Sequence, residues 1–353
     1  MNILVIRFRQ MGDAIVTTPM LTSLRLSFPD ASIHFVLNER IAPLFEGHPA
    51  IDSIITFTDK ERHSFPTYLR KVWSIVHNTH YDVIIDMRST VNTLLFPLLS
   101  PSSKYRIGIN KPYSWLMLNH RFSSAKANEN MVEHNLELIS PLKEIRELKT
   151  TRKLNLSIST EETKRFRDYM ESKGIDFKHP IMVIGVTAKL ENKTWKEEYM
   201  TETIKRISRE WPELQIIFNF APGKEAENAR RIYEIVSNPN IYINIEAKSM
   251  RELAAMLSLS TMYFGNEGGA RHIAEAMNTP SFVICSPSAN KFTWIPSNNP
   301  LHQAVAASDV LSDEEMKGMT RQEIYDSIKV EKVWEDLKSF CKASHILECK
   351  HHN

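Results

Sequence analysis

Three segments of this sequence place charged or hydroxyl side chains beside glycines that let a ligand approach the backbone. The first, Arg7-Phe8-Arg9-Gln10-Met11-Gly12-Asp13-Ala14, follows the apolar run Ile3 to Ile6 and enters a predicted helix. Gly12 permits close approach, and Asp13 offers a carboxylate that could take the proton from an acceptor hydroxyl. The alternative is that Asp13 is only an N-terminal helix residue favoured by the dipole. Arg7 and Arg9 are the cations best placed to meet phosphate or carboxylate groups of an acceptor. No Gly-x-Gly-x-x-Gly occurs at this turn, which argues against an ordinary nicotinamide dehydrogenase.

The second segment runs from Val186 to Lys196 and carries Thr187, Lys189, Lys193 and Trp195 just before a predicted helix. A hydroxyl, lysine point charges, an exposed-loop tryptophan and helix amides together make a diphosphate cradle. A lysine-rich surface loop, with Trp195 packing the helix start, is the alternative. The third is Phe264-Gly265-Asn266-Glu267-Gly268-Gly269-Ala270-Arg271-His272, a strand turning through glycines into a helix. Glycines there bring backbone N–H groups close to an anion, although a tight turn needs no ligand. His272 taken alone reads as a satisfied structural histidine.

These loops need strands behind them, and the chain supplies them. With 353 residues, 42% hydrophobic and 24% charged, it reads as two α/β domains, and the net charge of +2 does not suggest nucleic-acid binding. Apolar β-rich runs alternate with helical periods, as in a parallel sheet covered by helices. The first half gives strands at Ile3–Ile6, Ser32–Leu37, Ile54–Phe57, Tyr81–Asp86 and Tyr105–Gly108, with helices from Gly12, over Tyr68–Asn78 and around Asn130–Leu142. Lys143 to Lys153 reads as a linker and Leu154–Leu156 as a short strand. The alternation restarts at Ile181, and no strand is expected after Cys285. Cys285, Cys341 and Cys349 are too few and too scattered for a disulfide framework or a cysteine zinc site, which fits a reducing cytoplasm. His351 and His352 do not make a metal site alone. The tail near Cys349 is expected to be loose. The opening apolar run is too short for a signal segment, and no stretch approaches a spanning helix, so any membrane association is expected to be peripheral.

Taken together and in order, the segments resemble glycosyltransferase family 9, the ADP-heptose:lipopolysaccharide heptosyltransferases. The resemblance rests on Arg7, Gly12, Asp13 and Pro19 in the opening loop and helix, and on Tyr81-Asp82-Val83-Ile84-Ile85-Asp86-Met87-Arg88. It continues in Arg106-Ile107-Gly108, Lys193-Thr194-Trp195 and Asn266 to Ala274. It departs where Glu267 stands for the usual Asp, Gly268 for Ser or Thr, and Ala270 for Pro.

The resemblance implies a GT-B type α/β fold, two Rossmann-like domains facing a central cleft. Residues 1–155 would bind the acceptor and 156–345 the nucleotide-sugar donor, with the final helices packing back on the N-terminal domain. It implies an inverting transfer of heptose or a related sugar from an ADP-sugar, at the cytoplasmic face of the inner membrane. Asp13 would be the general base, and Lys193 would bind the diphosphate. Thr187, Asn266, Glu267, Gly268, Gly269 and His272 would hold phosphates and sugar, and Glu225 the nucleoside. Arg7, Arg9 and Gly12 would face an anionic glycolipid or oligosaccharide. Further basic residues of the first half, Arg62, His63, Lys104, Arg106, Lys111, Arg121 and Lys126, are acceptor contacts or solvated charges. No cofactor is expected, and the lack of an Asp-x-Asp fits a metal-independent reaction in which cations and amides steady the leaving diphosphate. A catalytically inactive sugar-nucleotide-binding protein of the same fold is the competing reading.

Overall fold

The computed structural model describes residues 1–126, 129–295 and 299–347. Cys349, His351 and His352 lie outside them. The chain divides into two compact units, Met1–Ser157 and the remainder from Ile158. Each is built on its own six-stranded parallel sheet.

The first unit contains β1 (Asn2–Ile6), β2 (Ser32–Asn38), β3 (Ser53–Phe57), β4 (Val83–Asp86), β5 (Tyr105–Ile109) and β6 (His120–Phe122), in the order β3-β2-β1-β4-β5-β6. All neighbouring pairs are parallel. Residues Ile3 to Ile6 and Val83 to Asp86 are buried without exception, because central strands of a parallel sheet are covered on both faces. One layer of this core is aromatic: Phe8 meets Phe57 edge-on at 5.2 Å, and Tyr68 and Phe96 close the cluster. The helix expected from Gly12 is two helices, Met11–Ile15 and Thr18–Ser27, with Pro19 in the opening turn of the second. Leu154–Leu156 is not a strand.

The second unit repeats the plan with β7 (Ile181–Gly185), β8 (Gln215–Asn219), β9 (Ile241–Tyr242), β10 (Met262–Asn266), β11 (Ser281–Ile284) and β12 (His302–Val305), in the order β12-β11-β10-β7-β8-β9. Counted from its own first strand this is again 3-2-1-4-5-6, the order of a Rossmann fold. β10 and β7 approach so closely that a Cβ on Gly265, whose φ is +134°, would sit 2.4 Å from the Gly185 carbonyl oxygen. Only glycine fits there.

Two expectations change. β12 is a strand where none was expected, and β6 also escapes the pattern. Both are short edge strands with one neighbour, so they lack the long apolar run of a central strand. The final helix, Val330–Ala343, was expected on the N-terminal domain, but its apolar face lies in the core of the second unit. Val330, Val333, Leu337 and Phe340 recur at helical spacing and join Met182, Phe282 and their neighbours in that core.

Phe340→Ala should therefore destabilise the second unit by about 3–5 kcal/mol. Trp211 and Trp334, with ring centroids 5.7 Å apart, give that unit a fluorescence reporter in denaturant. A transition unchanged from the parent would contradict this packing.

Candidate active site

Where strand order reverses, the connections leave to opposite faces and a crevice opens beyond the strand carboxyl ends. In the first unit that point lies between β1 and β4, and the segment Arg7–Asp13 emerges there. Arg7 is 4% exposed. Its Nη2 donates to Asp13 Oδ1 at 3.0 Å and its Nη1 to the Met87 carbonyl at 3.2 Å. Arg9 is half exposed, with its Nε 3.7 Å from the same carboxylate oxygen. Arg88, after β4, donates to the Phe8 carbonyl at 2.7 Å. Thus two guanidiniums hold the Asp13 carboxylate and a third ties the two loops together. Asp13 lies in the first turn of Met11–Ile15 without capping it; Gln10 holds the N-cap position and makes no side-chain cap bond. Arg7, expected to face an acceptor, instead positions Asp13, and burial lowers its guanidinium to about 10, still protonated at neutral pH.

Asp86, at the end of β4, is fully buried. Its Oδ1 accepts from the Arg88 and Ser89 backbone N–H groups at 3.0 and 2.9 Å, while Oδ2 has no hydrogen-bond partner. Burial pushes the carboxyl up to about 6, against the pull of those two N–H groups, the nearby Thr93 hydroxyl and the Arg88 charge. Ser89 takes a left-handed backbone at φ 49°, and its Oγ accepts from Ile109 N at 2.7 Å. A Cβ on Gly108 would collide with that oxygen at 2.6 Å, which accounts for the glycine in Arg106-Ile107-Gly108.

In the second unit the reversal lies between β7 and β10, and both remaining segments open there. Asn266 fastens them: its Oδ1 accepts from Trp195 N at 2.7 Å, and its Nδ2 donates to the Gly185 carbonyl at 3.0 Å. Asn266 is therefore occupied within the protein at both ends of its amide. Trp195, expected in an exposed loop, is fully buried and donates from Nε1 to the Ile328 carbonyl at 2.9 Å. Lys193 Nζ reaches Glu267 Oε1 at 2.8 Å, and Ser286 Oγ donates to that oxygen at 3.0 Å. Thr187 Oγ1 donates to Glu225 Oε2 at 3.0 Å. Gly268 is extended, with open space where a Cβ would stand, and Gly269 begins the helix Gly269–Ala276. No side chain caps that helix, so its first N–H groups are free of a capping oxygen.

His272 is buried in the first turns of this helix. Arg271 Nη2 lies 2.7 Å from its Nδ1, which makes Nδ1 the acceptor and leaves the proton on Nε2. Burial, reinforced by the Arg271 charge, holds the imidazole well below its ordinary value and therefore neutral.

The sequence reading missed several supports. Arg271 and Glu275 form a buried ion pair at 2.7 Å, and Arg271 also donates to the Trp294 carbonyl at 2.8 Å. Their i, i+4 spacing was the available signal. Tyr325, from the C-terminal segment, contacts Asn266 Oδ1 and the Lys193 carbonyl, both at 3.3 Å, and no local motif announces it. Among the distant basic residues, Arg106 is taken up by the Met117 and Ser103 carbonyls, and His63 by the Asp59 carbonyl. Glu129, His134 and Glu137 bring their potential ligand atoms within 4.8 Å of one another, but at the helix after β6 rather than in any of the three segments.

Two Rossmann-like sheets, one with a carboxylate and the other with a lysine and an open helix N-terminus at its switch point, define a GT-B glycosyltransferase. A sequence model of glycosyltransferase family 9 (heptosyltransferase) matches residues 69–328, and the chain belongs to that family. It is 24% identical over 291 residues to a lipopolysaccharide heptosyltransferase 1 of Campylobacter coli, covering 80% of this chain and 83% of the relative. A crystal structure of a family 9 glycosyl transferase from Veillonella parvula superposes with a TM-score of 0.81 at 18% identity, covering 97% of both chains. An Escherichia coli heptosyltransferase solved with ADP-2-deoxy-2-fluoro heptose superposes at 0.70, also at 18% identity, covering 96% of this chain and 99% of the other.

The raised Asp86 carboxyl predicts a pH signature. Because the folded value exceeds the unfolded one, the native state binds the extra proton between about pH 4 and 6, and stability falls as pH rises through that window. Asp86→Asn keeps an acceptor for the two N–H groups but removes the buried charge. It should stabilise the first unit by about 1–3 kcal/mol at pH 7 and have little effect near pH 4. Denaturant melts of parent and variant at both pH values measure this; equal stabilities at pH 7 would refute it.

Proposed function

We propose that this glycosyltransferase transfers heptose, or a closely related sugar, from an ADP-sugar to a lipopolysaccharide core or similar surface-glycan acceptor, with inversion and without a metal ion. The observation that carries the reading is the division of chemistry between the two switch points. A carboxylate held by arginines suits proton removal, and a lysine beside an open helix N-terminus suits a diphosphate. The similarity to lipopolysaccharide heptosyltransferases, and to one solved with an ADP-heptose analogue, supports both donor and acceptor class.

In this mechanism the acceptor oxygen attacks the anomeric carbon as its bond to the diphosphate oxygen breaks. The acceptor proton passes to Asp13, and the departing electron pair settles on ADP. Direct displacement from the face opposite the leaving group inverts the anomeric centre. Lys193 and the amides at Gly268 and Gly269 meet the charge that develops on the diphosphate. Glu267 can only accept hydrogen bonds when ionised and would repel phosphate, so it suits sugar hydroxyls. Glu225, which follows the second strand of its Rossmann unit, stands where an acidic residue takes a ribose hydroxyl, with Thr187 orienting it. His272 presents Nε2–H as a neutral donor. Arg9, exposed beside Asp13, meets anionic groups of the acceptor.

Asp13→Asn should lower single-turnover transfer by about 10²–10⁴-fold while leaving donor affinity intact. The amide keeps the shape and a hydrogen-bond acceptor for Arg7 but not the basicity. A rate within a few-fold of the parent, at saturating donor and acceptor, would remove Asp13 as the base.

Lys193→Ala should weaken ADP-sugar binding by about 10–100-fold, corresponding to a charge-assisted contact of about 1.5–3 kcal/mol. Isothermal titration measures it, after a thermal-shift comparison of ADP-, GDP- and UDP-sugars has identified the donor that stabilises the parent. Unchanged affinity in the variant would place the diphosphate elsewhere.

A further inference from the structure

We propose that the loops after β4 and β5 form a docking surface for an anionic lipid bilayer. The inference rests on the glycolipid acceptor proposed above and names the surface on which such an acceptor is met. No helix among the described residues is long and apolar enough to cross a membrane.

β4 and β5 are neighbours in a parallel sheet, so the segments that follow them emerge side by side at the same carboxyl edge as the Asp13 loop. Tyr113 bridges the two, its hydroxyl donating to the Ser89 carbonyl at 3.3 Å. Four large apolar residues stand out from these loops: Val91 at 67% exposure, Tyr113 at 43%, and Trp115 and Leu116 at 64% each. Exposed apolar residues gathered on adjoining loops indicate an interaction site, whereas isolated ones need no explanation.

The exposure is built in rather than a product of a loose loop. Ser114 is completely buried; its hydroxyl accepts from Lys111 N and donates to the Lys111 carbonyl, both at 2.9 Å. The Met117 and Leu118 N–H groups then bond to the Ser114 carbonyl at 3.1 and 3.0 Å. Leu118 is 3% exposed and reaches the backbone at Gly108. With both flanks fixed inward, Trp115 and Leu116 are held outward at the tip.

The charge at this edge selects the occupant. Arg88 follows β4, Lys111 follows β5, Arg121 lies in β6 and Lys126 follows it. The loop sequences from 87 to 94 and from 110 to 118 contain no acidic residue. Tryptophan and tyrosine with a polar edge, a leucine, and cations at their flanks match the interface of a bilayer bearing anionic headgroups.

The test is co-sedimentation of the full chain with phosphatidylcholine vesicles and with vesicles that also contain phosphatidylglycerol. The parent should bind the anionic vesicles, and added salt should weaken that binding. Trp115→Ser combined with Leu116→Ser should reduce it at least about tenfold, with an unchanged melting temperature because both side chains are exposed. Equal binding by parent and double variant, or no binding of the parent to anionic vesicles, overturns the proposal. So does a parent that dimerises through this patch, with a monomeric double variant and no vesicle binding by either. Vesicle binding needs no catalysis, so a negative result leaves the transferase reading standing, while loss of transfer on Asp13→Asn is blind to the vesicle result.

Discussion

The reversal of strand order in each sheet is the constraint from which the rest of this protein follows. Right-handed crossovers carry the chain outward from β1 through β2 to β3, and the next one returns from β3 across β1 to β4, so its helices lie on the opposite face; β7, β8, β9 and β10 repeat the pattern. At that point the connections diverge and the strand ends border a crevice. Only a few backbone positions border it, and in both units they carry the unusual residues: Arg7 to Asp13 with Asp86 to Ser89, and Thr187 to Lys193 with Glu267 to Gly269. The backbone there must pack without the usual room for side chains. Gly265 against Gly185, and Gly108 against Ser89, are the places where this shows.

Holding charged groups in such a gap costs free energy, and the two units meet the cost differently. In the first, Arg7 is buried but faces Asp13 and a carbonyl, so its charge is compensated. Asp86 is fully buried, and desolvation leaves its carboxyl near 6 although the Ser89 and Arg88 N–H groups, the Thr93 hydroxyl and the Arg88 charge pull it down. In the second, Arg271 and Glu275 are buried as a pair, and burial raises the Glu275 carboxyl even though Arg271 pulls it down. A buried pair of this kind adds little net stability, but loss of either partner leaves an uncompensated charge. Its effect here is geometric: Arg271 also fixes the Trp294 carbonyl and the His272 tautomer, so one guanidinium sets a donor and the segment beyond it.

How far the sequence reveals this depends on how local each cause is. Central strands were legible because burial on both faces demands an unbroken apolar run, as at Ile3–Ile6 and Ile181–Gly185. The edges β6 and β12, His120-Arg121-Phe122 and His302-Gln303-Ala304-Val305, satisfy no such demand and read as loop. The helix Val330–Ala343 was legible as a helix, but an amphipathic face does not say which core it enters. The three site segments were legible because glycines and charges cluster beside strand ends. What local reading could not supply was partnership: that Arg7 turns inward to the Met87 carbonyl, that Asn266 is occupied as a fastener, and that Trp195 is interior. Each depends on a residue from another strand or, with Tyr325 and Ile328, from far along the chain.

Those distant ties bear on how the second unit can act on an anion. Lys193 is a long, flexible cation, and left to itself it would lose much rotamer entropy on meeting a phosphate. Its backbone is held by Tyr325, the neighbouring Trp195 N–H is held by Asn266, and Asn266 is in turn anchored to Gly185. The ammonium group rests on Glu267, which Ser286 also contacts. The lysine is therefore extended toward the glycine turn, with its charge met by the Glu267 carboxylate. On the reading proposed above, a diphosphate entering there would exchange one anionic partner of Lys193 for another and release Glu267 to neighbouring hydroxyls. Much of the ordering that such binding would need is thus built into the fold. One more methylene in Glu267 than in an aspartate extends the reach of that carboxylate toward the lysine, and Gly268 leaves the adjoining space open. On the same reading, the two together would alter the shape of the sugar pocket while keeping the lysine and the helix N-terminus that would carry the leaving charge.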